Sequence, residues 1–116
     1  MSDYTFSEYQ RTSARTAKKP EFTQKELLAN FAMGLAGESG EVVDALKKHL
    51  FHGKPLDREH IEKELGDTLW YLSMIAELLD MNTGAIARKN VAKLEARFPN
   101  GWSEADANAR KDEAQL

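Results

Sequence analysis

The sequence predicts an all-α fold, a helical hairpin or bundle of about four helices completed by oligomerisation. Two observations lead there. Apolar residues recur at helical spacing through long segments, and the helix breakers fall between those segments, at Pro20, at Gly53 with Pro55, and at Pro99-Asn100-Gly101. Nowhere does apolar and polar alternation last long enough for a strand, and no repeat or low-complexity tract interrupts the pattern.

The first helix is expected over Phe6 to Lys19, a stretch without Gly or Pro that mixes Tyr9, Arg11, Arg15, Lys18 and Lys19 with small residues and that Pro20 ends. Thr23 supplies the next N-cap. Glu26 completes a capping box with it, so a second helix starts there and runs to about His52, before Gly53 and Pro55. Its apolar positions include Leu27, Phe31, Leu35, Val42, Ala45 and Leu46. Gly34, Gly37 and Gly40 interrupt this helix at regular spacing, each costing roughly 1 kcal/mol relative to alanine. Either another backbone approaches along that stripe or the helix bends there.

Asp57 caps a third helix ending near Asp80. Ile61, Leu65, Leu69, Leu72, Ala76 and Leu79 form its expected core stripe, while Glu64, Asp67, Tyr71, Met74 and Leu78 form a second stripe roughly 135° away. A helix apolar on more than one side packs against several neighbours, a second subunit among the options. Thr83 is the expected cap of a fourth helix from about Gly84 to Phe98, with Ile86, Val91 and Leu94 inward and Arg88, Lys89, Lys93 and Arg97 outward or toward phosphate. Beyond Trp102 the chain is polar, and Ser103 with Asp106 can begin only a short helix before a frayed end at Leu116.

A chain of 116 residues, 41% apolar and without a visible linker, is expected to form one domain over residues 1–116, with a polar tail from about residue 103. Charged residues of both signs make up 30% of it and the net charge is -3, so nucleic acid is not an expected partner. The absence of cysteine excludes disulfides and thiolate metal sites and agrees with a cytoplasmic setting. Met1 to Gln10 lacks the basic start and apolar run of a signal peptide, and no segment approaches the roughly 18 apolar residues of a membrane span.

The chemistry concentrates in two acid pairs. Glu38-Ser39-Gly40-Glu41 and Glu64-Leu65-Gly66-Asp67, with 22 residues between them, each place two carboxylates on one helical face. The short connection from Gly53 to Asp57 folds the second and third helices into an antiparallel hairpin, which can set the pairs opposite one another. Four clustered carboxylates are tolerable only around cations. All-oxygen donors without Cys or His suit Mg2+, with Mn2+ as the alternative. A lone Glu-x-x-Glu is usually a solvated helix face. Here the first pair sits among Gly34-Leu35-Ala36-Gly37 and the second in a largely apolar helix. A ferritin-like di-metal bundle would carry Glu-x-x-His, and neither pair has that His.

The string from Gly34 to Lys48, with Glu38-Ser39-Gly40-Glu41 inside it, followed by Glu64-Leu65-Gly66-Asp67-Thr68-Leu69-Trp70-Tyr71-Leu72, resembles the MazG-type all-α nucleoside triphosphate pyrophosphohydrolases. Their signature is ExxE, a spacer, then ExxD. The likeness extends to Asn90, Lys93, Leu94 and Arg97, and more loosely to Tyr9 through Thr12 and to Asn100-Gly101-Trp102-Ser103. It implies Mg2+-dependent cleavage of an NTP or dNTP between the α- and β-phosphates, giving monophosphate and pyrophosphate, by homodimers or homotetramers. On that basis Glu38, Glu41, Glu64 and Asp67 are the metal ligands and catalytic set, with Glu38 the candidate to position or deprotonate water. A triphosphate can approach such a cluster only when divalent ions reverse the local field.

Lys93 and Arg97, one turn apart, are candidate phosphate clamps, Asn90 a nucleotide contact through its amide, and Tyr71 a stacking partner for base or sugar. Surface solubility explains the two cations equally well. Lys47 and Lys48 read better as a solvated helix end, Trp70 as packing, and His49, His52 and His60 as exposed residues around the hairpin turn. Two other functions fit the same residues: a narrower activity on dCTP, dUTP, a modified nucleotide or phosphoribosyl-ATP, and a non-catalytic helical module whose acids bind structural cations or a basic partner.

Overall fold

The structure, a computed structural model, describes residues 3–17 and 20–113. Those residues form α1 (Phe6–Ser13), a 3₁₀ turn (Ala14–Ala17), α2 (Gln24–Phe51), α3 (Arg58–Leu78), α4 (Thr83–Arg97) and α5 (Glu104–Ala109), with no sheet among them. None of these helices is long and apolar enough to cross a membrane.

The first helix is shorter than its sequence suggests. Ser13 Oγ donates to the Tyr9 carbonyl at 2.6 Å and Thr16 Oγ1 to the Ser13 carbonyl at 2.7 Å, and hydroxyls that compete for backbone acceptors tighten the chain into the 3₁₀ turn. The expected last residues, Lys18 and Lys19, lie outside the described residues. The start of α2 follows the sequence reading: Thr23 Oγ1 accepts from Glu26 N at 3.1 Å and the Glu26 carboxylate accepts from Thr23 N at 3.0 Å. Asp57 caps α3 through His60 N at 3.1 Å.

Helices α2 and α3 form the antiparallel hairpin that organises the chain. Along its seam Glu38 faces Glu64 and Asp67, Gly34 faces Tyr71, and Phe31 packs edge-on to Trp70 with ring centroids 5.4 Å apart. The glycine stripe has a close approach at one position only. A Cβ on Gly34 would run into the Tyr71 ring, 2.6 Å from Cδ1, whereas one on Gly37 or Gly40 would meet nothing within 4 Å. Gly34→Ala is therefore expected to destabilise the fold by about 1–3 kcal/mol through overpacking. Gly37→Ala is expected to change stability by no more than about 1 kcal/mol, in the stabilising direction. Paired urea denaturation curves measure both, and equal midpoints for the two variants would contradict the seam contact.

The expected core stripe of α3 is only partly covered: Ala76 is buried and Ile61 and Leu69 are half-buried. Leu65, Leu72 and Leu79 of the expected core stripe are exposed, Leu65 at 52%, while Met74 of the second stripe is 1% exposed and Tyr71 docks on Gly34. A helix apolar all round carries no periodic signal to say which face meets α2; the gap left by Gly34 makes that choice.

Helix α4 also departs from expectation at its start. Asn82, not Thr83, is the cap, with its Oδ1 accepting from Ala85 N at 2.9 Å. Thr83 is buried instead because its N and Oγ1 both donate to Gln10 Oε1, at 2.6 and 2.5 Å. Gln10 Nε2 donates to Glu77 Oε2 and to the Met81 carbonyl, each at 2.9 Å, so this buried amide ties α1 to α3 and to the start of α4. Ile86, Val91 and Leu94, expected inward, are exposed because α4 packs only on α1 and on α5 to any extent. Ser103 caps α5 through Asp106 N at 3.1 Å, and the expected frayed end at Leu116 lies outside the described residues.

Few apolar side chains are fully covered. Phe31, Met74 and Ala76 are the buried apolar residues among those described, and the radius of gyration is 17.5 Å. A compact chain of this length would measure roughly 13 Å.

Candidate metal centre

The hairpin register places Glu38 from α2 beside Glu64 and Asp67 from α3, with one carboxylate oxygen from each lying within 4.8 Å of the others. Helical spacing explains why the α3 pair acts together: residues three apart share a face. Local hydroxyls help fix the backbone there, since Ser39 Oγ donates to the Leu35 carbonyl and Thr68 Oγ1 to the Glu64 carbonyl, both at 2.8 Å. Glu38 and Glu64 are half-buried and Asp67 is exposed, so the group opens to solvent on one side.

Like charges brought together make the site electrostatically costly. The Glu38 carboxyl is pushed up to about 7 from an ordinary 4.5, first because it can share a proton with Glu64, then through desolvation and the negative charges of Glu64, Asp67 and Glu41. Glu64 Oε2 is buried and receives no hydrogen bond from the described residues. A buried carboxylate oxygen without a donor is destabilising unless a cation or proton occupies its lone pairs. Three carboxylates, one of them with an orphaned oxygen, and no sulfur fit a hard divalent ion such as Mg2+ or Mn2+.

Glu41, the fourth acid of the two pairs, is exposed and stands outside this three-residue group. It borders a cleft of about 400 Å³ at the hairpin turn, together with Lys48, Lys54 and His60. Lys48 is ion-paired with Asp44 at 2.8 Å, and His49 Nδ1 lies 2.9 Å from the Lys54 carbonyl. His52 and His60 are exposed.

The four residues singled out for substrate fall on two elements, Tyr71 on α3 at the hairpin seam and Asn90, Lys93 and Arg97 on α4. Tyr71 is half-buried in an aromatic cluster, its ring centroid 5.0 Å from Trp70 and 6.3 Å from Phe31. Asn90 is exposed and its side chain makes no hydrogen bond among the described residues. Arg97 is engaged by the tail: its Nε donates to Asp112 Oδ1 at 2.5 Å and its guanidinium also reaches Asp112 Oδ2 at 2.9 Å and Glu113 Oε1 at 3.4 Å. Lys93 Nζ lies 3.9 Å from the same Asp112, whose side chain is 4% exposed. The Arg97 guanidinium holds the Asp112 carboxyl below the usual carboxylate range. These cations, expected outward or toward phosphate, thus converge on one carboxylate of their own chain.

Sequence reasoning assigned no role to Tyr9. Its hydroxyl is made less acidic by burial and then by the charge of Asp67, which puts α1 within electrostatic reach of the acid group. The only signal for it in the sequence was the loose likeness around Tyr9 to Thr12.

Comparison with known proteins bears on the family to which the chain belongs. Over 80 residues the chain is 34% identical to the Gene 37 protein of Mycobacterium phage L5, an alignment covering 66% of this chain and 70% of that protein. No solved structure gives a significant match. The family model for the MazG nucleotide pyrophosphohydrolase domain matches residues 25–102, a span that contains both acid pairs, all of α3 and α4, and α2 from its second residue, and the chain accordingly belongs to the MazG nucleotide pyrophosphohydrolase family.

Proposed function

We propose that this chain hydrolyses a nucleoside or deoxynucleoside triphosphate between its α- and β-phosphates, giving the monophosphate and pyrophosphate, with Mg2+ as the cofactor and Mn2+ able to replace it. The observation that carries the reading is the convergence of Glu38, Glu64 and Asp67, with Glu64 Oε2 buried and unpartnered among the described residues. These three residues would hold the metal, and Glu41, free to turn on the exposed side of α2, would join them. Bound there, Mg2+ supplies Lewis-acid chemistry: it acidifies water and neutralises charge on the phosphates. Glu38 would orient a water and accept its proton. Lys93 and Arg97 would exchange Asp112 for a phosphate, Asn90 would contact the nucleotide through its amide, and Tyr71 would flank the sugar.

The test is incubation of the purified protein with each NTP and dNTP plus Mg2+, with separate detection of pyrophosphate, orthophosphate and monophosphate. Pyrophosphate with monophosphate is expected. Orthophosphate alone would mean a different bond is cut, and cation binding without any phosphate release would favour the non-catalytic module.

The same reading takes residues 1–116 as one domain acting in the cytoplasm as a homodimer or homotetramer. Val43, Leu46, Leu50, Leu65 and Leu72 leave an apolar surface on the hairpin that a second copy would cover. Leu50→Glu, at a position 66% exposed in the single chain, is therefore expected to shift the protein to monomer in light scattering. An unchanged mass would place the subunit contact elsewhere.

A further inference from the structure

Beyond the acid group, the hairpin seam continues into a cleft that no role so far explains. Phe31 precedes Glu38 by seven residues on α2, and Met74 follows Asp67 by seven on α3, so each pair shares a helix face. Leu27 and Leu78 extend both faces by a further turn. Because the helices are antiparallel, these four side chains gather at one place, about 10 Å along the seam from the acids. There they line a cleft of about 340 Å³, with Ala14 and Ala17 of the 3₁₀ turn on its other side. The turn is held in place, since Trp70 Nε1 donates to Thr16 Oγ1 at 2.8 Å.

The rim is polar and oriented. Arg11, Arg15 and Glu77 border the cleft. Gln10 Nε2 holds Glu77 Oε2 at 2.9 Å, which leaves Glu77 Oε1 without a hydrogen bond among the described residues.

We propose that this cleft receives the nucleobase of the substrate and that Glu77 selects bases carrying an exocyclic amino group. The proposal rests on the reading of the acid group as the Mg2+–triphosphate site. With triphosphate at the acids, the ribose and base extend on the order of 10 Å, given bond lengths near 1.5 Å, which is the offset of the cleft. An apolar floor suits the faces of a base, and the guanidinium planes of Arg11 and Arg15 can cover them. An ionised carboxylate only accepts hydrogen bonds. Cytosine, adenine and guanine offer it an amino N–H, whereas the one ring N–H on the pairing edge of uracil or thymine lies between two carbonyl oxygens that repel it.

The experiment separates base recognition from hydrolysis. In a Trp102→Phe background Trp70 is the sole indole, and its fluorescence is titrated with dCMP, dAMP, dUMP and deoxyribose 5-phosphate. In parallel, kcat/KM is measured for the matching triphosphates, with inorganic tripolyphosphate as an inhibitor that has no base. Amino-bearing monophosphates are expected to bind at least about tenfold tighter than dUMP. Glu77→Gln is expected to reduce that ratio to about threefold or less while inhibition by tripolyphosphate is unchanged. Ala14→Leu, which fills the cleft without touching Glu77, is expected to weaken every base-containing ligand toward the affinity of deoxyribose 5-phosphate. Equal binding of dCMP and dUMP by the parent protein, or base affinities unaffected by Ala14→Leu, would overturn the proposal. Pyrophosphate release with no base preference sinks the cleft assignment and leaves the hydrolase reading standing; base-selective binding of monophosphates without any pyrophosphate release does the reverse.

Discussion

Glu64→Gln is expected to lower turnover at limiting Mg2+ by at least about a hundredfold, because altering even the outer partners of a metal ligand typically costs ten- to a hundredfold. Glu64 is the residue whose buried Oε2 has no protein donor and whose carboxyl lies closest in effect to Glu38. The substitution keeps shape and removes charge, so the fold is expected to survive. Mg2+ that binds only the native state raises the melting temperature, and that rise is expected to vanish in the variant. The Glu38 titration should also move down from about 7 toward its ordinary value, since its largest perturbing partner is gone. A variant that turns over substrate like the parent and is still stabilised by Mg2+ would contradict the assignment of Glu64.

Mg2+ affinity is expected to fall about tenfold between pH 8 and pH 6, because an ion must displace the proton that Glu38 holds with an affinity near pH 7. The metal-free protein should respond in the opposite sense. A carboxyl whose folded value is raised, here from 4.5 to about 7, binds its proton more tightly in the native state. Its contribution to stability is full below the unfolded value and is lost as pH rises through 7. Glu38 thus makes the metal-free chain less stable at pH 8 than at pH 5, and added Mg2+ is expected to stabilise most where that loss is greatest. Melting temperatures with EDTA and with saturating Mg2+ across pH 5 to 8 measure both effects. Parallel curves, separated by a constant interval, would show that no proton is exchanged for the ion.

Local signals in the chain were strong wherever a single side chain settles the matter. The capping box of Thr23 and Glu26, the caps Asp57 and Ser103, and the breakers after Phe51 and Arg97 could be read directly, because each depends on backbone groups a few residues away. The acid pairs were legible for the same reason, and the short turn between α2 and α3 left their approach as the natural outcome. Thr83 misled because it and Asn82 are both capable caps, and the choice went to Asn82 once Gln10, far away in sequence, claimed the Thr83 hydroxyl.

By itself the sequence determined the helical class, the hairpin and three of the carboxylates that meet across it, since periodicity, capping and a short connection act within a few turns. The tertiary structure alone decided which face of α3 meets α2, through the space that Gly34 leaves for Tyr71. It also decided that Glu41 stands outside the closest acid group and that Lys93 and Arg97 turn to Asp112. Those outcomes depend on packing and charge between residues distant in the chain, and such interactions leave no periodic trace in the order of the amino acids.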